Sequence, residues 1–374
     1  MKILLIGEIY SSNLGDQLVC ETTKYLVSKY VPISNIFYLD IMLRENKNNK
    51  NVSDEKTLFN IIKNKISINN VIKQYIKKII LKKKYEICIN KINPDIVIFT
   101  GGQLLSTTFY TYLNAMFEVL NNKKIPIYFN SVGIGKLSNK AKKTYINILS
   151  SKNIFKITCR CSSNRIIDAF NLNKDLVEET FDSGILCDKI VNVNRENINE
   201  CVGLGIMYSN RIPEEIIINF WTKIISELLI QDISFKLFTT GSQQDNVLAN
   251  KIIKKNKLSK EYVYTYPKTI VDMISQISTF KIILSFRLHS HIVAYSLGII
   301  SIGIIWDNKI IDFFHKINRD KYCFSINEDY QKIIETIKYC LYLKQYNDKK
   351  IICNKLITEK IFENNIQKII HLMK

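Results

Sequence analysis

Short apolar runs alternate with segments of helical spacing along most of the chain. Lys2–Gly7 contains a continuous apolar run that ends in glycine, which is typical of a buried parallel strand. Residues 16–30 then place apolar side chains at helical intervals, and Ile36–Asp40 is a second short strand. Strand–helix alternation of this kind predicts βαβ units and a parallel sheet.

The alternation stops at a polar segment, Asp188–Asn199, and starts again at Cys201. We therefore expect an α/β protein with two Rossmann-like parallel-sheet domains, over 1–186 and 200–345, followed by C-terminal helices over 346–374. Ligands of such sheets bind at the carboxyl ends of the strands. The further predicted strands are Ile96–Thr100, Ile125–Asn130, Phe155–Arg160, Cys201–Met207, Phe235–Thr239, Lys281–Ser285 and Ile300–Ile304.

Residues 44–92 interrupt the first half with a Lys- and Asn-rich stretch in which Ile recurs at helical spacing. This pattern predicts amphipathic helices in an insertion. A lysine face of this kind is usually solvated, but it can also lie on an anionic membrane surface. The lysines concerned are Lys63, Lys65, Lys73, Lys77, Lys78, Lys82, Lys83 and Lys84.

Charge and cysteine usage narrow the class of protein. Lys and Arg number 53 against 34 Asp and Glu, which gives a net charge of +19. Only seven of these cations are Arg and the lysines are scattered, so we expect no nucleic-acid partner. Nine Cys without a Cys-x-x-Cys pair are typical of reduced cytoplasmic thiols and argue against a disulfide framework or a zinc site.

The heptapeptide Ser285–His291 carries the strongest chemical signal, because it holds two of the four His and one of the seven Arg. Arg287 offers a planar fork of donors for a carboxylate or phosphate, which Lys does not. His289, at a strand-to-helix junction, can donate to an anion or transfer a proton near neutral pH. The alternative is a capping Ser285 and a semi-buried histidine whose hydrogen bonds are satisfied. His291 faces another side of the predicted helix, which disfavours a metal pair and predicts a minor role.

Other candidate residues lie at the ends of predicted strands. The loop after the first strand ends in Asn13 and Asp16, which either hydrogen-bond a hydroxyl-rich ligand or only cap the helix. The paired glycines Gly101 and Gly102 would let a ligand approach the backbone closely, and a helix over about 106–121 is predicted after them. Arg160 and Arg211, also at strand ends, would either add charge to an anion pocket or be solvated surface residues, and Lys309 after the last strand would face the cleft.

A set of short motifs in register resembles the polysaccharide pyruvyl transferase family over nearly the whole chain. Asn13–Asp16 matches the family's Asn-x-Gly-Asp, and Asp95–Gly102 matches its strand that ends in a glycine run. Arg287–Ser290 matches the family's most specific region. Thr158–Ser163 and Asp182–Gly184 resemble two further motifs, although the first has cysteine in place of an acidic residue and the second lacks a proline.

The resemblance implies a GT-B-like fold, with two Rossmann-like halves facing a cleft. It also implies transfer of a pyruvyl group from phosphoenolpyruvate to a sugar, which forms a cyclic ketal; phosphoenolpyruvate is then a co-substrate, and no cofactor or metal is implied. The donor-site residues that it implies are Arg287, Leu288, His289 and Arg160. His289 would act as the acid or steer the leaving phosphate. Asn13 and Asp16 would lie across the cleft on the acceptor side, with Asp16 as a candidate base.

Two alternatives stay open. A GT-B glycosyltransferase that uses a nucleotide sugar would share the fold but would need an extended nucleotide pocket instead of a tight Arg/His anion site. A non-catalytic basic protein would bind an anionic membrane or nucleic acid through residues 44–92. An enzyme that modifies a cell-surface polysaccharide or its lipid-linked precursor would also benefit from that basic surface, so we expect a cytoplasmic protein with peripheral contact at the inner face of the membrane.

Overall fold

The computed structural model describes residues 1–45, 70–193, 199–343 and 349–373. Within them the chain forms two compact units. The first consists of Met1–Tyr10, Val31–Thr158 and Ser163–Glu178, and the second consists of Ser11–Tyr30, Cys159–Ser162 and Glu179–Lys374. This division differs from the boundaries predicted at 186 and 200, because the helix after the first strand already belongs to the second unit.

Strands and helices alternate through both units. The strands are β1 (Lys2–Gly7), β2 (Asn35–Asp40), β3 (Ile96–Phe99), β4 (Gly102–Leu105), β5 (Ile127–Ile134), β6 (Ile154–Cys159), β7 (Val177–Glu179), β8 (Asn199–Gly205), β9 (Phe235–Phe238), β10 (Phe280–Ser285), β11 (Ile300–Ile305) and β12 (Cys323–Ser325). The helices of the described residues are α1 (Leu14–Tyr30), α2 (Asn70–Ile92), α3 (Tyr110–Lys123), α4 (Asn139–Leu149), α5 (Ser163–Phe170), α6 (Glu214–Ile230), α7 (Gln243–Lys255), α8 (Ile270–Ser278), α9 (Leu288–Ser296), α10 (Asn308–Lys316), α11 (Tyr330–Tyr342) and α12 (Lys349–Met373).

The first unit is built on a seven-stranded sheet of order β2-β1-β3-β5-β6-β7, with β4 paired to β5. β1 lies between β2 and β3 and pairs in parallel with both. Its residues Ile3–Ile6 have no exposed surface. A strand in this position is covered on both faces, which explains why its sequence is a continuous apolar run instead of an alternating one.

The turn after β3 differs from its prediction. Gly101 and Gly102 have φ angles of 107° and 78°, which non-glycine residues rarely adopt. The chain then continues as β4 beside β5, with Leu104 and Leu105 buried. The helix predicted from about 106 therefore begins only at Tyr110.

Only the end of the predicted insertion is described. Residues 46–69 lie outside the described residues, and Asn70–Ile92 forms the single helix α2. Leu81, Tyr85 and Ile89 recur every four residues on its buried side, and the Tyr85 hydroxyl donates to the carbonyl of Ile41 at 2.6 Å. This spacing is that of an amphipathic helix, as the sequence predicts for this part.

The second unit is built on a five-stranded sheet of order β12-β11-β10-β8-β9, in which neighbouring strands are parallel. Together the two sheets confirm the prediction of two parallel-sheet α/β domains. β10 lies in the middle of the second sheet, so its carboxyl end, at Ser285, opens onto the centre of that sheet's edge. This is where ligands of such sheets bind.

Helix α1 packs into the second unit at its N-terminal end. Leu14 and Leu18 belong to an apolar cluster with Phe238 and Phe280. The Leu14 N–H donates to the carbonyl of Thr240 at 2.9 Å. The burial of these apolar side chains fixes the position of the first turn of α1 relative to the second sheet.

The C-terminal helix α12 holds the far end of α1. Glu359 on α12 forms an ion pair with Lys29 at 2.9 Å and accepts from the Tyr25 hydroxyl at 3.1 Å. On α9, the Tyr295 hydroxyl accepts from Asn354 at 2.7 Å. Among the helices in the described part of the chain, none combines the length and hydrophobicity that a membrane span requires.

Candidate active site

His289 lies in the first turn of α9, just after the loop that follows β10. The residue is buried, and its Nε2 lies 4.0 Å from Oδ2 of Asp182. This nitrogen has no hydrogen-bond partner among the described residues. Burial lowers the pKa of His289 to about 4, although the carboxylates of Asp182 and Asp16 act in the opposite direction. The imidazole is therefore neutral at pH 7, and its buried Nε2 is unpaired within the described residues.

Helix α1 meets His289 through a glycine. A Cβ atom on Gly15 would lie 2.2 Å from Nδ1 of His289, so no larger residue fits in this position without displacement. The sequence predicts Asn13 and Asp16 across a cleft from His289. The structure instead places both in the same unit as His289, because Leu14 between them packs into the core of that unit.

Asn13 and Asp16 are bonded to each other and to their own loop. Oδ1 of Asn13 accepts from the Gly15 N–H at 3.2 Å, and its Nδ2 donates to Oδ2 of Asp16 at 3.0 Å. The Ser11 hydroxyl donates to the same Asp16 oxygen at 3.2 Å. Asn13 thus caps α1, which was one of the two open interpretations. Asp16 is held with its charge close to His289.

Arg160, directly after β6, forms an ion pair through Nη1 with Oδ2 of Asp182, and both side chains are nearly inaccessible. Burial raises the pKa of Asp182, but the charges of Arg160 and His289 and the hydrogen bonds to the carboxylate outweigh it, so the pKa lies below its usual value. Nζ of Lys316 donates to the carbonyl of Thr180 at 2.6 Å and to that of Arg160 at 3.4 Å. These contacts fix the segment that carries Arg160 beside the one that leads to Asp182.

Arg287 is held by a buried carboxylate that the sequence did not indicate. Its Nε donates to Oδ2 of Asp245 at 2.9 Å, and its Nη2 donates to Oδ1 at 2.6 Å. Asp245, in the first turn of α7, has no exposed surface and also accepts from the Tyr208 N–H at 2.8 Å. The sequence predicts that the guanidinium fork binds a ligand. In the structure Nε and Nη2 bind Asp245, and Nη1 has no hydrogen-bond partner among the described residues.

Lys309 lies in the first turn of α10, which Asp307 caps by accepting from the Lys309 N–H at 3.2 Å. The Asp307 carboxylate also pairs with Nη1 of Arg211 at 2.6 Å. Nζ of Lys309 lies 4.6 Å from the ring centre of Trp306, whose Nε1 donates to the carbonyl of Phe286 at 2.6 Å. Among the described residues, no carboxylate pairs with Nζ of Lys309.

The charges of this group act on one another. Burial, followed by the positive charges of Arg160 and Arg287, lowers the pKa of Lys309 to about 8, while Asp307 and Asp16 act in the opposite direction. Repulsion between cations that are close together is the cause of the second effect. The second unit thus brings together Asn13, Asp16, Arg160, Arg287, His289 and Lys309 from the predicted set.

The remaining predicted residues lie elsewhere or contribute differently. Gly101 and Gly102 belong to the first unit. Leu288 is buried and offers no polar side-chain group, while the Arg211 side chain is 48% exposed. His291 is fully buried, with Nε2 3.0 Å from the carbonyl of Ser285, so the predicted minor role does not extend to stability. In the described ranges of the chain, no three His, Cys, Asp or Glu side chains are grouped as metal ligands would be.

Sequence reasoning missed three members of the group. Asp182 belongs to the motif Asp182–Gly184, but this motif does not predict the ion pair of Asp182 with Arg160. Asp245 and Trp306 carried no signal at all, since an acidic residue near a helix start and an aromatic residue after a strand are common in any α/β protein.

Solved structures of low sequence identity share the fold. UDP-GlcNAc 2-epimerase from Methanocaldococcus jannaschii is 14% identical, with a TM-score of 0.58 over 96% of this chain and 98% of that chain. UDP-GlcNAc 2-epimerase from Neisseria meningitidis is 12% identical, with a TM-score of 0.57 over 98% and 100%. The N-terminal domain of Candida albicans trehalose-6-phosphate phosphatase is 10% identical, with a TM-score of 0.58 over 100% and 99%. These likenesses concern the GT-B fold alone.

Comparison of the sequence with known proteins and with family models shows the family to which the chain belongs. The chain matches no curated protein. The family model "Polysaccharide pyruvyl transferase" matches residues 13–308, a range that begins at the cap of α1 and ends in the first turn of α10. It therefore includes Arg160, Asp182 and His289, as well as strands β8–β11 of the second sheet. This chain belongs to the polysaccharide pyruvyl transferase family.

Proposed function

We propose that this protein transfers a pyruvyl group from phosphoenolpyruvate to a sugar, forming a cyclic ketal and releasing phosphate. The observation that carries the proposal is the grouping of Arg160, Arg287, Lys309 and a neutral His289 in the second unit. A small donor that bears both a carboxylate and a phosphate is best bound by several cations, of which at least one has a planar fork. Membership of the family supports the same reaction type.

Of the three cations of this group, Lys309 alone forms no ion pair with a carboxylate of the described residues. Asp182 and Asp245 neutralise Arg160 and Arg287, whereas Lys309 has no carboxylate partner among the described residues. An anionic donor would pair with Lys309 and take up the N–H groups that the two arginines have left. The unpaired ammonium group of Lys309 would therefore attract the anionic donor, and the fixed guanidinium groups of Arg160 and Arg287 would orient it.

His289 is our candidate for the proton donor. Its pKa of about 4 leaves it neutral before the donor binds, but a multiply charged anion beside it would favour the protonated form. The imidazolium would then give its proton to the methylene carbon, and the first sugar hydroxyl would bond to the adjacent carbon and release its own proton to Asp16. A second hydroxyl would displace phosphate, which takes the remaining proton. The products are the cyclic ketal and inorganic phosphate.

The acceptor would be a sugar of a cell-surface polysaccharide or of its lipid-linked precursor. A basic surface helps a cytoplasmic enzyme reach a lipid-linked substrate at the inner face of an anionic membrane. The net charge of +19 and the exposed lysines of α2, such as Lys83 and Lys91, support this placement.

The test is incubation with phosphoenolpyruvate and a panel of synthetic and lipid-linked sugars. Phosphate release and a pyruvyl mass increment on the sugar, appearing together, are the expected result. Phosphoenolpyruvate should also raise the melting temperature more than UDP-sugars do, since a ligand of the native state opposes unfolding. If UDP-sugars raise it and phosphoenolpyruvate does not, the donor is a nucleotide sugar and the proposal is wrong.

Conservative variants separate charge from geometry. Arg287→Lys keeps the charge but loses N–H donors; each lost charge-assisted hydrogen bond is worth about 1.5–3 kcal/mol, so donor use should fall roughly 10- to 150-fold. His289→Ala should lower kcat more than it weakens donor binding, as expected for a group that acts in the transition state. Arg165→Lys, on α5 of the first unit, is the matched control and should retain full activity.

A further inference from the structure

The pair of Arg287 and Asp245 has features that a simple surface ion pair lacks. The carboxylate has no exposed surface and makes three contacts of 2.6–2.9 Å with one guanidinium. Its Oδ1 is fixed independently by the Tyr208 N–H at 2.8 Å. Asp245 is therefore a rigid acceptor, and the guanidinium is the more mobile partner.

The backbone of Arg287 is fixed as well. Its N–H donates to the Ser285 hydroxyl at 3.0 Å, and its carbonyl accepts from the Ser290 hydroxyl at 2.6 Å. With the backbone and one edge of the fork both held, the side chain has little freedom left. Nη1 makes no hydrogen bond with any of the described residues, and the Arg287 side chain as a whole is 19% exposed.

We propose that Asp245 is a positioning residue for the anionic donor: it holds the Arg287 guanidinium so that Nη1 faces the phosphate or carboxylate of phosphoenolpyruvate. This inference rests on the function proposed above. A free arginine side chain would lose much rotamer freedom on binding an anion, and a pre-oriented one avoids that loss. Asp245 lowers the net positive charge of the site, but it also fixes the direction of the remaining N–H donors of Arg287.

The effect of Asp245 on the charge of the site and its effect on the orientation of Arg287 predict opposite changes in donor affinity for Asp245→Asn. Asp245→Asn removes a negative charge, so if charge alone mattered, the donor would bind more tightly. If direction matters, the Nδ2 hydrogens of the asparagine would repel the N–H groups of Arg287 and release the guanidinium. We then expect KM for phosphoenolpyruvate to rise roughly 10- to 100-fold, with kcat changed much less, because misplacing a binding group by about 1 Å has effects of this size.

A double-mutant cycle tests whether Asp245 acts through Arg287. In an Arg287→Ala background, Asp245→Asn should not raise KM any further. A residue that only supports the fold would raise it by the same factor in both backgrounds, and that result would overturn the proposal, as would unchanged or tighter donor binding. The control is Glu359→Gln, which removes another buried carboxylate of an ion pair, with Lys29, and should leave KM unchanged.

A second measurement needs no donor. Phenylglyoxal modifies accessible arginines, and peptide mass spectrometry gives the extent of labelling at Arg287. Release from Asp245 should increase this labelling several-fold in Asp245→Asn, and equal labelling would contradict the proposed restraint. If the labelling rises but wild-type protein neither binds nor consumes phosphoenolpyruvate, the proposed function fails while the restraint stands. Should Asp245→Asn not fold, Asp245→Glu replaces it, since one added methylene moves the carboxylate and keeps its charge.

Discussion

The contact between Gly15 and His289 gives the sharpest test of how the candidate site is built. In Gly15→Ala, the new methyl group would lie 2.2 Å from Nδ1 and 2.4 Å from Cγ of His289. Ordinary contacts between such atoms begin at about 3.4 Å, so the imidazole or the first turn of α1 must move by roughly 1 Å. The first movement displaces His289 from its place beside Asp182, and the second displaces Asp16 relative to His289.

The expected effects follow from that displacement. Alanine favours a helix over glycine by up to about 1 kcal/mol, but overpacking a buried contact costs about 1–3 kcal/mol. The net loss should lower the melting temperature by a few degrees. Activity should fall much further, roughly 100-fold, because catalysis is more sensitive than folding to a 1 Å displacement of a reacting group. Ser28→Ala, at an exposed position of α1, is the control for a substitution in the same helix.

A double variant identifies the cause. Circular dichroism melts would be compared for wild type, Gly15→Ala, His289→Ala and the combination of the two. Once the imidazole is gone, the methyl group has room, so Gly15→Ala should be neutral or stabilising in the His289→Ala background. If Gly15→Ala destabilises the protein equally in both backgrounds, the overlap with His289 is not the reason and our account of this contact fails.

Three further predictions concern titration and burial. Burial lowers the pKa of His289 to about 4 and that of His291 to about 3, below the unfolded value of about 6.5. The unfolded chain therefore takes up protons first as the pH falls, and each histidine should lower the free energy of unfolding by roughly 3 kcal/mol between pH 6.5 and pH 4. Denaturant titrations at several pH values should show this loss, and in His289→Gln the free energy of unfolding should depend less steeply on pH. Lys309, with a pKa lowered to about 8, should lose its charge above that pH, so the affinity for phosphoenolpyruvate measured by calorimetry should fall there, and Lys309→Arg should abolish the fall. His291→Ala should lower stability by about 2–5 kcal/mol, since it removes a hydrogen bond to Ser285 and an edge-to-face contact with Phe314, while kcat/KM of the folded protein changes little.

Each of these predictions can fail clearly. A stability that does not change from pH 6.5 to pH 4 would mean that the two histidines are solvated. A loss of donor affinity above pH 8 that persists in Lys309→Arg would assign the titration to another group. A fully stable His291→Ala protein would show that the helix α9 does not depend on its buried imidazole.

Much of the fold is encoded locally and could be predicted from the sequence. The apolar run in β1 and the restart of alternation at β8 identify two parallel sheets, because a strand covered on both faces must be apolar along its whole length. The motif around Arg287 and His289 could be found for a similar reason. Rare residue types at a strand-to-helix junction are visible in the sequence, and the family match over residues 13–308 agrees with the resemblance drawn from them.

The partners of these residues depend on the tertiary structure. Asp245 is separated from Arg287 by more than forty residues, and no periodicity links the two. Likewise, the first turn of α1 meets His289 only because Leu14 is buried in a cluster that includes residues of β9, α8 and β10. The sequence alone determined which side chains can do the chemistry. The tertiary structure decided which of them are paired, buried and turned towards one another, because burial and electrostatic pairing depend on distance in space and not on distance along the chain.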